Sequence, residues 1–204
     1  MQPLSLVEAA MLDLFSIAQA ILLLLIVLDP FSNAPYFYTL TKELKPDVRS
    51  STIKKSVVVA ALILLAFAVS GDSLLAFLGV TVDDFRIAGG IILLIYSILG
   101  LLEISLMPKP DLDRISIVPM ATPLLAGPGA ITVVIYVKYN WDLVTAVSSI
   151  VISILITLAI LLIGGRILKL LGRNGTLVLD KMMSMLMAAY AVSLMREGVL
   201  NLIV

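Results

Sequence analysis

The sequence of 204 residues contains no cysteine and no histidine. Without cysteine there are no disulfides, thiolate metal ligands or thiol nucleophiles. Without histidine, the commonest general base and metal ligand is missing. Charge is scarce as well, because only 14% of the residues are charged, against roughly 25% in an ordinary soluble domain. These absences disfavour an enzyme, and no cofactor or metal site is expected.

The fourteen basic residues are balanced by fourteen acidic ones, so the net charge is zero. Nucleic-acid binding requires a basic face, and we therefore expect no nucleic-acid partner.

Apolar residues, by contrast, make up 61% of the chain and are concentrated in long runs such as 17–28, 57–70 and 143–165. A helix needs roughly 20 apolar residues to cross the hydrocarbon core of a bilayer. Six such spans fit, and little of the chain is left over. The expected fold is an all-α integral membrane protein in the cell membrane, with 1–204 as a single transmembrane domain. The spans are predicted at about 12–40, 53–78, 85–106, 115–137, 143–171 and 177–204.

Basic residues predict the orientation, because cytoplasmic loops carry an excess of Lys and Arg. Eleven of the fourteen follow spans one, three and five, whereas three lie at the opposite side. The predicted topology therefore places both termini outside. The eleven are Lys42, Lys45, Arg49, Lys54, Lys55, Lys109, Arg114, Arg166, Lys169, Arg173 and Lys181, and the three are Arg86, Lys138 and Arg196.

An internal repeat divides the chain into halves 1–108 and 109–204. The segment GDSLLAFLG at 71–79 recurs as GGRILKLLG at 164–172, and Pro30 recurs as Pro128. Arg86 recurs as Lys181, and both are interpreted as anchors of helix ends. Three spans per half make the two halves inverted. Inverted repeats with paired interrupted helices are typical of secondary transporters.

Span one is interrupted by Asp29-Pro-Phe-Ser-Asn-Ala-Pro35, and span four by Gly127-Pro-Gly129. Proline stops a helix because it lacks an N–H and clashes with the preceding turn. We expect Ser32 or Asn33 to cap the second half-helix of span one, with Pro35 in its first turn. Broken backbone at mid-membrane is tolerated where it is buried in protein or lines a wet cavity. The alternative is a pair of packing kinks without a ligand.

The freed N–H groups and positive dipole ends of the second half-helices favour an anion such as a carboxylate. The candidate substrate site is therefore built from the two breaks, and the small residues of the second leave room for a small side chain only. Asn33 and Thr132 contribute side chains to the substrate. The candidates are Ser32, Asn33, Ala34, Gly127, Gly129, Ala130, Ile131 and Thr132.

Asp29 is an acidic residue near the membrane centre, where a charge costs roughly 2.5–3.5 kcal/mol on insertion scales. One hypothesis is that it couples transport to protons or contacts a substrate amine. The other is that it accepts hydrogen bonds within its own turn. Sequence alone leaves both open.

The chain resembles the MarC family of integral membrane proteins, which includes the SnatA-type amino acid transporters. The resemblance covers essentially the whole chain and is carried by three segments, 29–35, 85–91 and 118–132. It implies six spans in two inverted halves and transport of small neutral amino acids such as glycine and alanine, driven by protons. The common family motif has glycine where this chain has Ser32. Substrate, protons and the lipid bilayer are the expected partners, and both a monomer and a homo-oligomer stay open.

Three other functions compete with transport. An intramembrane enzyme using Asp29 and Asp72 is disfavoured because the predicted topology separates the two carboxylates. A structural or regulatory membrane subunit is disfavoured because short loops offer little surface to partners. A passive channel differs from a carrier in showing conductance rather than saturable counterflow.

Overall fold

The computed structural model describes residues 6–41, 44–104 and 125–203, and these residues form helices without any strand. Helix α6 has two arms, 143–171 and 173–203, which meet at Gly172, where the backbone is not helical (φ 64°, ψ −176°). The predicted loop 107–114 and the first part of span four, 115–124, lie outside the described residues. The helices are α1 Leu6–Leu28, α2 Pro30–Thr41, α3 Pro46–Leu78, α4 Val82–Leu101, α5 Pro128–Asn140 and α6 Leu143–Ile203.

Four helical segments in the described part of the chain are long and apolar enough to cross a membrane. They are Pro46–Gly71, Val82–Leu101, Leu143–Ile167 and Asn174–Ile203. They correspond to predicted spans two, three, five and six. The shorter apolar segment Leu14–Leu28 belongs to the interrupted first span, and α5 is the described part of the fourth. The fold is thus all-α, as expected for an integral membrane protein.

The turn between α3 and α4 is encoded locally. Gly79 ends α3 in the left-handed conformation (φ 69°), which glycine adopts without steric cost. Thr81 and Asp84 then form a reciprocal capping box at the start of α4, in which each side chain accepts from the other's backbone N–H. Two antiparallel spans therefore follow each other with only three residues between them.

Close packing of α4 on the second arm of α6 depends on glycine. A Cβ at Gly90 would lie 2.8 Å from the carbonyl oxygen of Ala191, and one at Gly198 would lie 2.8 Å from that of Asp83. Such small residues let membrane helices approach closely, since the lipid supplies no hydrophobic force between helices.

Helix α5 lies at the centre of the bundle. Its Thr132 side chain packs directly on Gly89 of α4, and Ile135 packs on Gly71 of α3. On the other side, α1 and α2 run along the first arm of α6, where the Ser153 hydroxyl donates to the Ile21 carbonyl (3.4 Å). Most of α5 is buried as a result: Gly129, Ala130, Thr132, Val133, Val134, Ile135 and Val137.

Polar contacts show which helix ends share a side of the bundle. Arg86 near the start of α4 donates to Asn140 at the end of α5 (2.8 Å). Asn201 near the end of α6 donates to Asp83 (3.0 Å). At the opposite side, Lys181 pairs with Glu103 just beyond the end of α4 (3.0 Å). These groupings match the alternation of sides that the predicted spans require.

Candidate functional site

The first break lies between α1 and α2, at Asp29. Its backbone is left-handed (φ 40°), an uncommon conformation that Asp tolerates better than most residues. The residue is only 9% exposed. Helix α2 begins at Pro30, so the expectation that Ser32 or Asn33 would cap it was wrong. The reason is that proline is well suited to the first helical position, which puts Asp29 immediately before the helix.

The second break has the same construction. Gly127 precedes α5 in an extended conformation, and Pro128 takes the first helical position. The first helical N–H···O bond runs from Ile131 to Gly127 (3.1 Å), as that of α2 runs from Asn33 to Asp29 (3.0 Å). Asp29 and Gly127, which precede the two helices, are therefore 98 positions apart, and so are the first bonded residues, Asn33 and Ile131. We call the segments 29–33 and 127–131 the paired breaks.

Each of the paired breaks presents two N–H groups that the helix itself does not use. The first-turn N–H groups of a helix have no partner inside it, and proline has none to offer. In α2 these donors belong to Phe31 and Ser32, and in α5 to Gly129 and Ala130. The N–H groups of Asn33 and Ile131, which sequence reasoning included, are engaged within their own helices.

The two polar side chains expected to face a substrate make local hydrogen bonds instead. The Asn33 amide donates to the carbonyl of Leu28 across the break (2.9 Å). The Thr132 hydroxyl donates to the carbonyl of Pro128 (2.9 Å). Both therefore satisfy carbonyl groups beside the breaks, and their contact with a substrate stays a prediction.

The second of the paired breaks lies beside the last turn of α1, just before the first break. A Cβ at Gly129 would lie 3.4 Å from Val27, two residues before Asp29, and would overlap the Leu93 side chain of α4. Ala130 is 2% exposed. Filling either position with leucine would consequently disturb the packing of the fold, so these residues do not offer the open space that sequence reasoning assigned to them. Ala34 is similarly enclosed, against Gly164 of α6.

A stripe of buried hydroxyl groups along the first arm of α6 was missed by sequence reasoning. It consists of Thr145, Ser149, Ser153 and Thr157, which recur every fourth residue and share one helix face. The Thr157 hydroxyl has no hydrogen-bond partner within the described structure, although the residue is fully buried. Hydroxyl residues at every fourth position of an apolar run were the signal that could have revealed the stripe.

The position of Thr157 relative to the first break follows from two contacts. Ser153 contacts Ile21 of α1, and Gly164 contacts Ala34 of α2. Because α6 runs parallel to α1 and α2 between these contacts, Thr157 lies at the level of the last turn of α1. Its unused hydroxyl is therefore close to the depth of Asp29.

A second cluster of polar residues lies at the side of the bundle where α4 begins and where α5 and α6 end. Arg86 is 3% exposed, forms an ion pair with Asp83 (2.9 Å) and lies about 5 Å from the ring centres of Tyr136 and Tyr139. We call Arg86, Asp83, Tyr136, Tyr139 and Asn140 the Arg86 cluster. Its guanidinium is enclosed by protein, whereas sequence reasoning described Arg86 only as an anchor of a helix end.

The enzyme hypothesis depends on Asp29 and Asp72 and is not tested by the described residues. Asp72, the second carboxylate of that hypothesis, has a side chain outside the described part of the structure. Among the described residues, no group of three His, Cys, Asp or Glu side chains comes together as a metal site requires.

Comparison with known proteins gives consistent matches along almost the entire chain. The sequence model described as MarC family integral membrane protein matches residues 14–203. The UPF0056 membrane protein MJ1677 of Methanocaldococcus jannaschii is 37% identical over 185 residues, covering 85% of this chain and 90% of the relative. A UPF0056 membrane protein of Archaeoglobus fulgidus is 31% identical over 188 residues, covering 86% and 88% respectively.

A bacterial relative is named as an inner membrane protein. The UPF0056 inner membrane protein YhgN of Escherichia coli is 28% identical over 190 residues, covering 90% of this chain and 95% of the relative. No solved structure matches the chain.

Proposed function

This chain belongs to the MarC family of integral membrane proteins, and from that premise we propose that it is a secondary transporter of small neutral amino acids. Glycine and alanine are the proposed substrates, protons drive their movement, and the paired breaks hold them. The chain itself is a multi-pass integral membrane protein.

One observation carries this proposal: the two breaks have the same construction, and the second lies beside the last turn of α1, just before the first break. Each places a proline at the first helical position and opens two N–H donors beyond it. In membrane proteins, irregular backbone of this kind is tolerated where it is enclosed by protein or lines a cavity. Paired half-helix N-termini of this kind favour the carboxylate of an amino acid.

Inverted halves, 1–108 and 109–204, form part of the proposal. The constant separation of 98 residues between the breaks supports them. So do Gly79 and Gly172, which end corresponding helices 93 residues apart, both with positive φ. In the proposed topology both termini lie outside the cytoplasm.

We assign the carboxylate of the substrate to the N–H groups of Phe31, Ser32, Gly129 and Ala130. Asp29 and carbonyl groups beside the breaks receive its amine. Thr157 is added to the site as a hydroxyl at the same depth. This assignment replaces side-chain donation by Asn33 and Thr132, whose polar groups are occupied locally.

Uptake by purified protein in liposomes tests the proposal directly. Labelled glycine and alanine should accumulate saturably when a pH gradient is imposed, and exchange of internal for external substrate should persist without it. Lack of uptake and exchange across an amino acid panel would favour a structural or regulatory subunit. Conductance without saturation would indicate a channel.

Asp29→Asn separates the two hypotheses for that carboxylate. If Asp29 carries the coupled proton, the variant loses gradient-driven uptake by tenfold or more, on the order of the effect of removing a proton-transfer group, while exchange persists. If Asp29 only accepts local hydrogen bonds, the variant keeps both activities, because Asn accepts many of the same bonds. Uptake and exchange rates in the same liposomes provide the measurement.

Thr157→Val tests the added hydroxyl with an isosteric change. Removing a buried hydroxyl without a partner should raise the free energy of unfolding by about 1 kcal/mol, because the cost of desolvating it disappears. If the hydroxyl serves the substrate, the same variant loses glycine binding. Ser149→Ala is the matched control, because that hydroxyl already donates to the carbonyl of Ala146 (2.9 Å). A stabilised Thr157→Val protein with unchanged transport would remove Thr157 from the site.

A further inference from the structure

A cleft of about 690 Å³ opens between the start of α3 and the first arm of α6. It lies at the end of the bundle where α2 meets α3, one helix beyond the first break. Two arginines, one from each helix, line it together with a serine and five apolar residues: Leu44, Pro46, Arg49, Ser50, Ile53, Leu162, Ile163 and Arg166.

Arg49 reaches across the cleft to the backbone beside Arg166. A terminal nitrogen of Arg49 lies 3.7 Å from the position of a Cβ on Gly165, the residue next to Arg166. Arg49 is held in place by Tyr38, whose ring centre is 4.5 Å from the guanidinium carbon. Such a cation–π contact orients the group without neutralising it.

Neither arginine has a carboxylate partner within the described structure, where Arg86–Asp83 and Lys181–Glu103 are the ion pairs. Two positive charges that line one cleft repel each other unless an anion lies between them or water screens them. The arrangement thus favours an anion with oxygens that accept from both guanidinium groups. Phosphate is the group for which arginine's planar donors are especially suited.

The remaining walls of the cleft favour an amphipathic molecule that carries this anion. Leu162 and Ile163 are exposed on a membrane-spanning segment, directly beside Arg166. Ile53 forms the buried floor of the cleft. A free phosphate ion would leave these apolar surfaces uncovered, whereas an acyl chain would cover them.

We propose that this cleft binds an anionic phospholipid, with its phosphate between Arg49 and Arg166, its glycerol beside Ser50, and an acyl chain along Leu162 and Ile163. Basic pockets between membrane helices, at the side that carries most Lys and Arg, are suited to such headgroups. This inference is independent of the transported substrate, since it concerns a surface that faces lipid.

Lipid binding can be measured with the full chain in detergent micelles, by titrating a fluorescent phosphatidylglycerol and, in parallel, a phosphatidylcholine with the same label. Wild-type protein should bind phosphatidylglycerol at least tenfold more tightly. The double variant Arg49→Gln/Arg166→Gln should lose about tenfold or more of that affinity, as expected for two basic residues near a headgroup. Lys54→Gln/Lys55→Gln is the matched control, because these exposed lysines are at the same end but outside the cleft.

A single variant and a competition with inorganic phosphate test the lipid site further. Arg166→Gln alone changes an exposed side chain, so a folded variant is expected, and it should lose part of the preference for phosphatidylglycerol. Equal affinity for both lipids, or equal loss in the lysine control, would overturn the proposal. Displacement of the labelled lipid by millimolar inorganic phosphate alone would show that the cleft holds free phosphate, and this too would overturn it.

Discussion

The two ends of the bundle use arginine in opposite ways. Arg86 is enclosed between two tyrosine rings and bound to Asp83 and Asn140. At the other end, Arg49 and Arg166 line an open cleft and have no carboxylate partner in the described structure. A buried guanidinium without partners would be very costly, whereas one that water or headgroups can reach is not. We call the end with the Arg86 cluster the sealed end, and the end where the described residues form the cleft the open end.

This difference has a consequence for the proposed transport cycle. A carrier exposes its site to one side at a time by moving one part against another. The Arg86 cluster joins α4 and α5, and Asn201 near the end of α6 donates to its Asp83. In the proposed cycle, these contacts break when the site opens to that side. Among the described residues, no comparable set of polar side-chain contacts joins α3 to α6 at the cleft.

Arg86→Leu should produce the largest loss of stability among these changes. Removing one partner of a buried, hydrogen-bonded ion pair costs roughly 3 kcal/mol or more, because Asn140 loses its donor and Asp83 keeps only the amide of Asn201. Arg166→Leu should change the free energy of unfolding by less than about 0.5 kcal/mol, as exposed substitutions usually do. Thermal unfolding in detergent measures both. Equal shifts for the two variants would contradict the comparison of a sealed and an open end.

A smaller difference in stability is expected when glycines between α4 and α6 are replaced by alanine at the two ends. At the sealed end, Gly198→Ala places a methyl group 2.8 Å from the backbone oxygen of Asp83, which has no room to move. At the open end, Gly100→Ala meets only the hydroxyl of Ser184. Overpacking of this kind costs about 1–3 kcal/mol, and both variants gain similar helix propensity.

A second substitution distinguishes the two cases. Ser184→Ala removes the obstructing oxygen and should restore the stability of Gly100→Ala, since the Ser184 Cβ lies 3.3 Å away. No side-chain change should fully restore Gly198→Ala, because the backbone oxygen of Asp83 obstructs the methyl group as closely as the Ile87 side chain does (both 2.8 Å). Unfolding midpoints of the single and double variants provide the measurement, and rescue of Gly198→Ala by Ser184→Ala would show that the packing assignment is wrong.

The sequence predicted the breaks and the apolar spans because these depend on local properties. Proline lacks an N–H in any surroundings, so helices had to start afresh at Pro30 and Pro128. The exact start was harder to predict, because Ser32 and Asn33 are good N-caps in isolation while Pro30 prefers the first helical position. Only the folded chain shows that Asn33 donates to Leu28 instead of accepting at the helix start.

The Arg86 cluster could not be predicted in the same way. Asn140, its hydrogen-bond acceptor, is 54 residues away in the sequence, and the tyrosine rings belong to a helix that forms after a long intervening segment. Periodicity places Arg86 near the start of α4 but does not indicate what encloses it. The same holds for the cleft, where Arg49 and Arg166 come together only through packing of α3 on α6.

The smallest expected effect concerns an exposed carboxylate at the sealed end. Asp142 precedes α6, and its side chain accepts from the backbone N–H of Thr145. That hydrogen bond lowers the pKa of Asp142 below its ordinary value of 3.8. At the start of α3, by contrast, Lys45 makes no side-chain cap.

Asp142→Ala should therefore lower the free energy of unfolding by about 0.5–1 kcal/mol at neutral pH, as the loss of an N-cap usually does. Because the folded-state pKa is depressed, the carboxylate stabilises the protein above pH 3.8, and this stabilisation is lost as the pH falls through the folded-state value. The difference between wild type and Asp142→Ala should consequently shrink below that pH. Asp142→Asn is the control, since its amide oxygen caps the helix at any pH, and its stability relative to Asp142→Ala should stay constant. Unfolding midpoints measured from pH 7 down to the acid range decide the matter: a wild-type advantage that does not change with pH would mean that the carboxylate of Asp142 contributes nothing as an anion.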